Sequence, residues 1–427
     1  MSVTTRLTWM QKKTLQNHFE GKHFSLIFKA SVQGFDFSTL HGICSCQGPI
    51  AVVIYSGDLI IGAYMQYNSQ NALPAPIVLF VLHASGISEF RIGPFDTFEI
   101  FYETSISQCG FYINLKDQEA TLMLKIIESL GLPKSSFLKG KISFQECEAF
   151  RCEDVLDERN MTGIRELNRN LWMVVKTHKP HRDLVHQVRM LLLGPVGAGK
   201  SSFINSVKSV FQGHVTHQVL EGFDKTGMSE AFRTYTVRDG KDGKFLPFIL
   251  CDSMGLDEEQ GICMDDITYI LKGHVSDRYQ FNPIKPITRS HSNYISDPYL
   301  KDRIHCVAFV LNANSVDHLS HEMIEKIRRI RREMIKLGVV HVVLLTNVDS
   351  LDLITKSDFL DIYRCVPVKS KIEAVHKKLG VALSDILVVS NYTSGWELDT
   401  LKDFLILSVL RQLLWAADDF LEDLPHC

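Results

Sequence analysis

The chain has no uninterrupted apolar run approaching the roughly 18 residues that a membrane-spanning helix needs, so no membrane span is expected. Its first twenty residues mix Arg6, Lys12, Lys13 and His18 with scattered apolar positions and lack the apolar segment of a secretory signal. An excess of one charge sign is also missing. The net charge of −3 gives no general attraction to nucleic acid or anionic membrane, so nucleic acid is not an expected partner. There is no short-period repeat and no low-complexity tract. Ten cysteines are scattered through the sequence, and Cys251 and Cys306 sit inside apolar runs. That pattern reads as reduced, buried thiols of a cytosolic protein rather than a disulfide framework. His41, Cys44 and Cys46 lie close together, but no second pair follows at zinc-site spacing, and they read as isolated thiols in a small-residue turn.

What is present is ordinary globular material, 427 residues of which 45% are hydrophobic, enough for two or three domains. Residues 21–150 show short apolar runs, Ile50 to Tyr55, Leu59 to Tyr64, Ile77 to Leu82 and Phe98 to Tyr102. Gly48-Pro49, Gly57-Asp58 and Gly93-Pro94 punctuate them. This predicts a strand-rich domain over 1–152, with helices at Thr4 to Phe19 and near Gln118 to Leu130. Residues 153–185 read as a helical linker, because Met161, Ile164, Leu167, Leu171 and Val174 recur at helical spacing before Lys179-Pro180.

From 186 to 427 strands and helices alternate. Strands are expected at Val188 to Leu193, Ala231 to Val237, Phe245 to Cys251, Ile304 to Leu311, Val339 to Thr346 and Ile386 to Val389. Helices are expected at 201–211, 318–336, 370–379 and 397–415. Such alternation predicts an α/β domain, a parallel sheet covered by helices on both faces.

Between the first of these strands and its helix lies Gly194-Pro195-Val196-Gly197-Ala198-Gly199-Lys200-Ser201, the full spacing of a phosphate-binding P-loop. Gly194, Gly197 and Gly199 let the backbone approach phosphate oxygens, with Ala198 and Ser202 completing the turn. Backbone N–H groups and the helix start supply positive potential. Lys200 adds a point charge for the terminal phosphates, and the Ser201 hydroxyl is a Mg²⁺ ligand. Asp252 ends the strand at 245–251 and can hold Mg²⁺ through its water shell, while Gly255 can present an N–H to the γ-phosphate.

Thr346-Asn347-Val348-Asp349 follows the strand at 339–345 and resembles the base-reading motif of GTPases. A carboxylate at Asp349 would accept both guanine donors, which adenine lacks. Asn347 stands where that motif carries lysine. Ser390-Asn391, after the next strand, occupies the place of a second base-contacting loop. Thr226 and Thr234 are the candidates for a Mg²⁺-binding switch threonine, with Thr226 preferred. Leu256 follows Gly255 where many small GTPases carry a water-orienting glutamine, which predicts slow or partner-dependent hydrolysis. Asp257, Glu258, Glu259 and Gln260 read as a solvated loop. Lys326, Arg328, Arg329, Arg331, Arg332 and Lys336 form a basic face that reads as the solvated side of a helix packed on a sheet.

With these motifs the chain resembles the interferon-induced protein 44 family. The likeness runs through Leu191 to Ser202, Phe211 to His217, Asp239 to Lys244, Arg303 to Phe309 and Trp415 to Asp419. Its N-terminal region resembles a TLDc domain, on Leu26 to Ser31, Gly34-Phe35, Cys44, Gly48-Pro49 and Ile61 to Tyr64, with Ala63 where a second glycine is common. The resemblance implies a TLDc-like β-sandwich with flanking helices joined to a GTPase-like P-loop domain. It implies a cytoplasmic, interferon-inducible protein of antiviral and antiproliferative responses that binds GTP or GDP with Mg²⁺. Protein partners are expected through the TLDc-like domain, and self-association is a further expectation. Two readings stay open: a guanine-nucleotide switch with weak GTPase activity, and an adaptor in which nucleotide is structural. An ATPase is a third, should Asp349 not read guanine.

Overall fold

Ile50–Ser56 and Leu59–Met65 pair as an antiparallel hairpin across Gly57-Asp58 in a computed structural model of the chain. The structure describes residues 4–45, 48–66, 75–84, 86–95, 99–102, 110–154, 156, 158–217, 231–240, 242–257, 261–282, 284–393 and 395–424. It divides into two compact units, Met1–Asp157 and Glu158–Cys427.

In the first unit, β1 (His23–Lys29), β2 (Ile50–Ser56), β3 (Leu59–Met65), β4 (Ala75–His83), β5 (Gly86–Phe95) and β9 (Glu146–Glu153) form one antiparallel sheet, in the order β1-β9-β2-β3-β4-β5. A smaller sheet contains β6 (Phe111–Asn114), β7 (Glu119–Leu122) and β8 (Lys141–Ser143). Period-two alternation sends Val52, Ile54, Leu79 and Val81 to one face of the large sheet, against Phe111, Ala120, Leu122 and Ile142 of the small one. Val53, Tyr55 and Phe80 point the other way, into a second core with Leu7, Leu15 and Phe19. The large sheet is therefore buried on both faces, and its strands read as continuous apolar runs rather than as alternation.

Three expectations for this region need correction. The helix anticipated from Thr4 spans Trp9–His18, because Thr8 caps it by accepting the Gln11 N–H at 3.2 Å. Thr5 and Arg6 are instead bound to buried Glu148: the Thr5 hydroxyl and Arg6 N–H donate at 2.6 and 2.9 Å. The helix anticipated at Gln118 to Leu130 splits into β7 and a short helix, Leu124–Ser129. Ala120 and Leu122 are buried alternately in the sheet, so their period is two. Glu99–Phe101, anticipated as strand, is a 3₁₀ turn, and Phe98 lies outside the described residues.

The second sheet contains β10 (Val188–Leu193), β11 (Arg233–Arg238), β12 (Phe245–Asp252), β13 (Cys306–Asn312), β14 (Val340–Thr346) and β15 (Ile386–Val388), in the order β11-β12-β10-β13-β14-β15. It is parallel except for its edge strand β11, which a short turn folds back antiparallel onto β12. Helices Glu158–Thr177 and Lys200–Gln212 pack against the last described helix, Thr400–Glu422. Met264–Leu271, His321–Lys336 and Val366–Leu379 form a second packed group. β13 is buried along nearly its whole length between such layers. The last helix outruns its expected end because Ala417, Phe420 and Leu421 extend its buried stripe. His321–Lys336 starts three residues later than anticipated, where Ser320 caps it by accepting the Met323 N–H at 3.1 Å.

The basic face of His321–Lys336 is largely committed inside the unit. Arg328 donates to the Lys378 carbonyl at 2.6 Å, and Arg331 to the carbonyls of Leu379 and Gly380. These are terminal acceptors of Val366–Leu379, where a helix leaves carbonyls unpaired and favours cations. Arg328 and Arg332 also pair with Glu325, and Lys336 pairs with Glu333.

Candidate functional site

Strand β10 ends at Leu193, and Gly194–Gly199 turn the chain into helix Lys200–Gln212. Gly194 is required for space: a Cβ there would lie 2.0 Å from the Val310 carbonyl oxygen of neighbouring β13. Gly199 is required for conformation as well. Its φ of 92° is left-handed, and a Cβ would meet Asn391 Nδ2 and Thr346 Oγ1 at 3.2 Å. Together they form a cradle closed by backbone, with a helix N-terminus at its floor.

Lys200 points back across this cradle. Its ammonium donates to the carbonyls of Gly194 and Pro195, both at 3.0 Å, and only 8% of the residue is exposed. Burial lowers its pKa, opposed by the Asp252 carboxylate. Asp252 ends β12 in register with Leu192, and Ser201 Oγ donates to Asp252 Oδ2 at 3.3 Å. A hydroxyl and a carboxylate, both oxygen donors, thus meet beside the buried lysine. These are donors of the type a hard cation such as Mg²⁺ prefers, and they are two of the three residues expected as metal ligands.

The segment after Asp252 lies tightly against the loop. The Leu256 N–H donates to the Gly194 carbonyl at 2.8 Å, and Pro195 and Leu256 form a parallel bridge. The Leu256 side chain is only 1% exposed. A Cβ on Gly255 would lie 2.6 Å from Val196 Cγ2, so glycine lets these two segments touch. Lys326 holds the far side, donating to the Asp257 carbonyl at 2.7 Å. Thr234 lies within β11, its N–H donating to Asp277 Oδ1 at 2.7 Å. Thr226, Glu258, Glu259 and Gln260 lie outside the described residues.

Two of the base-reading candidates bond to the same loop. Thr346 Oγ1 donates to the Ala198 carbonyl at 2.7 Å, and Asn391 Nδ2 to the Gly199 carbonyl at 3.3 Å. Tyr392 N–H donates to Ser206 Oγ at 2.8 Å, and that hydroxyl donates to the Ser202 carbonyl at 2.7 Å. Ser390 Oγ and Asn391 Oδ1 are buried without a hydrogen-bond partner in the structure, polar atoms of the kind a ligand satisfies. Asn347 takes a left-handed φ of 56° and turns the chain, so that Asp349 sits exposed on the 3₁₀ turn Val348–Ser350.

One residue near these groups was not anticipated from the sequence. Lys402, in the first turn of Thr400–Glu422, donates to the Asn391 carbonyl at 2.9 Å and lies 3.7 Å from Asp349 Oδ2. Its only sequence signal is a lysine in the first helical turn after the Ser390-Asn391 loop.

No family profile matches the chain. A chain of the signal recognition particle receptor SRb-GTP/SRX complex from Chaetomium thermophilum covers 49% of it and 94% of its own length. At TM-score 0.27 and 14% identity, that overlap carries no argument. Sequence relatives are far nearer. Interferon-induced protein 44 of Pan troglodytes is 57% identical across all of this chain and 96% of its own length. The Homo sapiens protein of that name is 56% identical with the same coverage, and the Mus musculus protein is 51% identical over 99% of its length. Identity that high, spread over both compact units, does not arise from one shared motif, and the chain belongs to the interferon-induced protein 44 family.

Proposed function

We propose that the second unit binds a guanine nucleoside triphosphate with Mg²⁺, and that the protein is an interferon-induced regulator whose nucleotide state governs its contacts with other proteins. The observation that carries this reading is the convergence on one loop of three groups. These are Lys200 across the cradle, Ser201 with Asp252 beside it, and the Thr346 and Asn391 side chains bonded to its backbone. These groups lie at the C-terminal ends of β10, β12, β14 and β15 of one sheet, the edge at which open α/β sheets bind ligands, which supports the reading.

Each residue has a defined task. Gly194, Gly197, Ala198 and Gly199 bring backbone to the phosphates, with Ser202 on the first helical turn and Gly255 facing the loop. Lys200 offsets phosphate charge. Ser201 and Asp252 would hold the metal. When bound, Mg²⁺ withdraws charge from the phosphate oxygens it touches. Asp349 would accept the paired guanine donors, with Thr346, Asn347, Ser390 and Asn391 shaping the base pocket. Leu256 is buried and its N–H is engaged by Gly194, so the residue in the water-orienting position cannot align a nucleophile. Slow intrinsic hydrolysis follows, with any fast turnover supplied by a partner or a second copy.

The same buried leucine favours the second reading, an adaptor that holds nucleotide structurally. In either reading the first unit, TLDc-like in its sequence motifs, is the protein-contact module, and the cytoplasm is its compartment. No helix among the described residues is long and apolar enough to cross a membrane. The deciding measurement is affinity and turnover for GTP, GDP, ATP and XTP. Preferential GTP binding supports the guanine reading, and equal ATP and GTP affinity overturns it. Tight GTP binding without turnover at any protein concentration selects the adaptor.

A further inference from the structure

We propose that Lys402 is the positioning cation of the base-reading site, placed by the last helix where the base-reading motif itself carries Asn347 instead of lysine. The inference rests on the guanine reading above and adds a residue that the motif does not contain.

Three contacts define its role. Lys402 Nζ donates to the Asn391 carbonyl at 2.9 Å, lies 3.7 Å from Asp349 Oδ2, and stands 5.7 Å from the centre of the Tyr392 ring. Asp349 and Asn391 belong to loops following different strands, β14 and β15, and both must approach the same base edge. One ammonium joined to both fixes their separation. It also restrains Asp349, whose side chain is 37% exposed and would otherwise turn freely about its two torsions. A carboxylate oxygen has two acceptor positions, so the ammonium can hold one flank of Asp349 while both oxygens still accept from guanine.

The lysine is itself held from both ends. Asp399 caps the helix, accepting the N–H groups of Leu401 and Lys402 at 2.9 and 3.3 Å, which sets the direction of the side chain. Tyr392, beside the stem, is anchored by its hydroxyl, which donates to Asp403 Oδ1 at 2.7 Å and accepts the Asp399 N–H at 2.7 Å. Only 18% of the Lys402 side chain is exposed, unlike a solvated surface lysine. A merely structural lysine would affect all nucleotides alike, whereas a positioning lysine acts on base selectivity.

The test is competition binding of GTP, ATP and XTP to the full chain, for wild type, Lys402→Met, Lys402→Arg and Lys402→Met combined with Asp349→Asn. Lys402→Met is expected to lower the GTP-to-ATP preference about five- to tenfold, the scale of one well-placed ion pair, with ATP affinity unchanged. Lys402→Arg restores most of the preference. In the Asp349→Asn background, Lys402→Met lowers GTP affinity by less than it does in the wild type, because only the tie to Asn391 remains to be lost. Should Lys402→Met fail to fold, Lys402→Gln is read in its place. A wild-type preference for GTP that Lys402→Met leaves intact overturns the inference alone, as does an equal loss of GTP and ATP affinity. A wild type without guanine preference overturns the underlying reading and the inference together.

Discussion

The backbone N–H of Leu256 donates to the carbonyl of Gly194 at 2.8 Å, joining the segment after Asp252 to the first residue of the glycine-rich loop. Because the Leu256 side chain is buried, restoring the usual residue type does not restore its chemistry. Leu256→Gln is expected to leave GTP turnover at the wild-type rate in a phosphate-release assay. It is also expected to cost about 1–3 kcal/mol of stability, because the amide enters an apolar site without partners. A variant that hydrolyses GTP markedly faster would show that this segment swings outward.

Lys200 donates to two loop carbonyls, so removing it leaves those acceptors and any phosphate without this cation. Lys200→Ala is expected to weaken triphosphate binding by on the order of a hundredfold or more, read by titration with a fluorescent GTP analogue. Unchanged affinity would place the triphosphate elsewhere.

Asp349→Asn is expected to shift preference from GTP towards XTP, because the amide can donate to the extra xanthine oxygen. The ratio of the two affinities should change on the order of a hundredfold. If the ratio stays fixed, Asp349 does not face the base.

His305 gives a pH prediction. It is fully buried immediately before β13; its Nδ1 accepts the Arg189 backbone N–H at 2.8 Å, and its Nε2 lies 3.2 Å from the Leu300 carbonyl. Burial lowers its pKa from 6.5 to about 4. The unfolded chain takes up this proton as pH falls through 6.5, and the folded chain not until about 4. The wild type should therefore lose roughly 3 kcal/mol of stability from this group between those limits as pH falls. Asp403 acts oppositely: burial raises its carboxyl to about 6, so its contribution fades as pH rises through that value. Urea midpoints of wild type against His305→Asn isolate the histidine, since Asp403 is common to both. Parallel pH curves would refute the assignment.

Glu148 should act as the latch for the N-terminal segment. It is fully buried, accepts from Thr5, Arg6 and the Tyr55 hydroxyl, and pairs with Lys29 at 3.4 Å. Glu148→Ala strands this cluster and is expected to cost about 3–5 kcal/mol. Hydrogen exchange should quicken first at residues 4–8, and retained protection there would contradict the latch.

The strand, glycine turn and helix over 188–212 were legible because they are local: Val188 to Leu193 is one apolar strand, and the glycine spacing follows without interruption. Asp252 was legible for the same reason, as the polar residue ending an apolar strand. Lys402 was not, because it reaches Asp349 only after the chain has crossed β15 and entered its last helix. Glu148 and Thr5 are separated by most of the first unit, and no periodicity reports such a pair. The segment at 118–130 reads as one helix because Leu122, Ile126 and Leu130 are four apart, although Leu122 ends a strand and Ile126 lies in the short helix after it.

The last helix touches β10, β13, β14 and β15, carries a long buried stripe and delivers Lys402 to the base-reading loops. The genetic consequence is that late lesions are not mild ones. A premature stop just after Asp399 would spare the glycine-rich loop, Asp252 and the Thr346–Asp349 and Ser390-Asn391 segments, yet its product would lack one wall of the second core. Such alleles should behave as full losses of this unit.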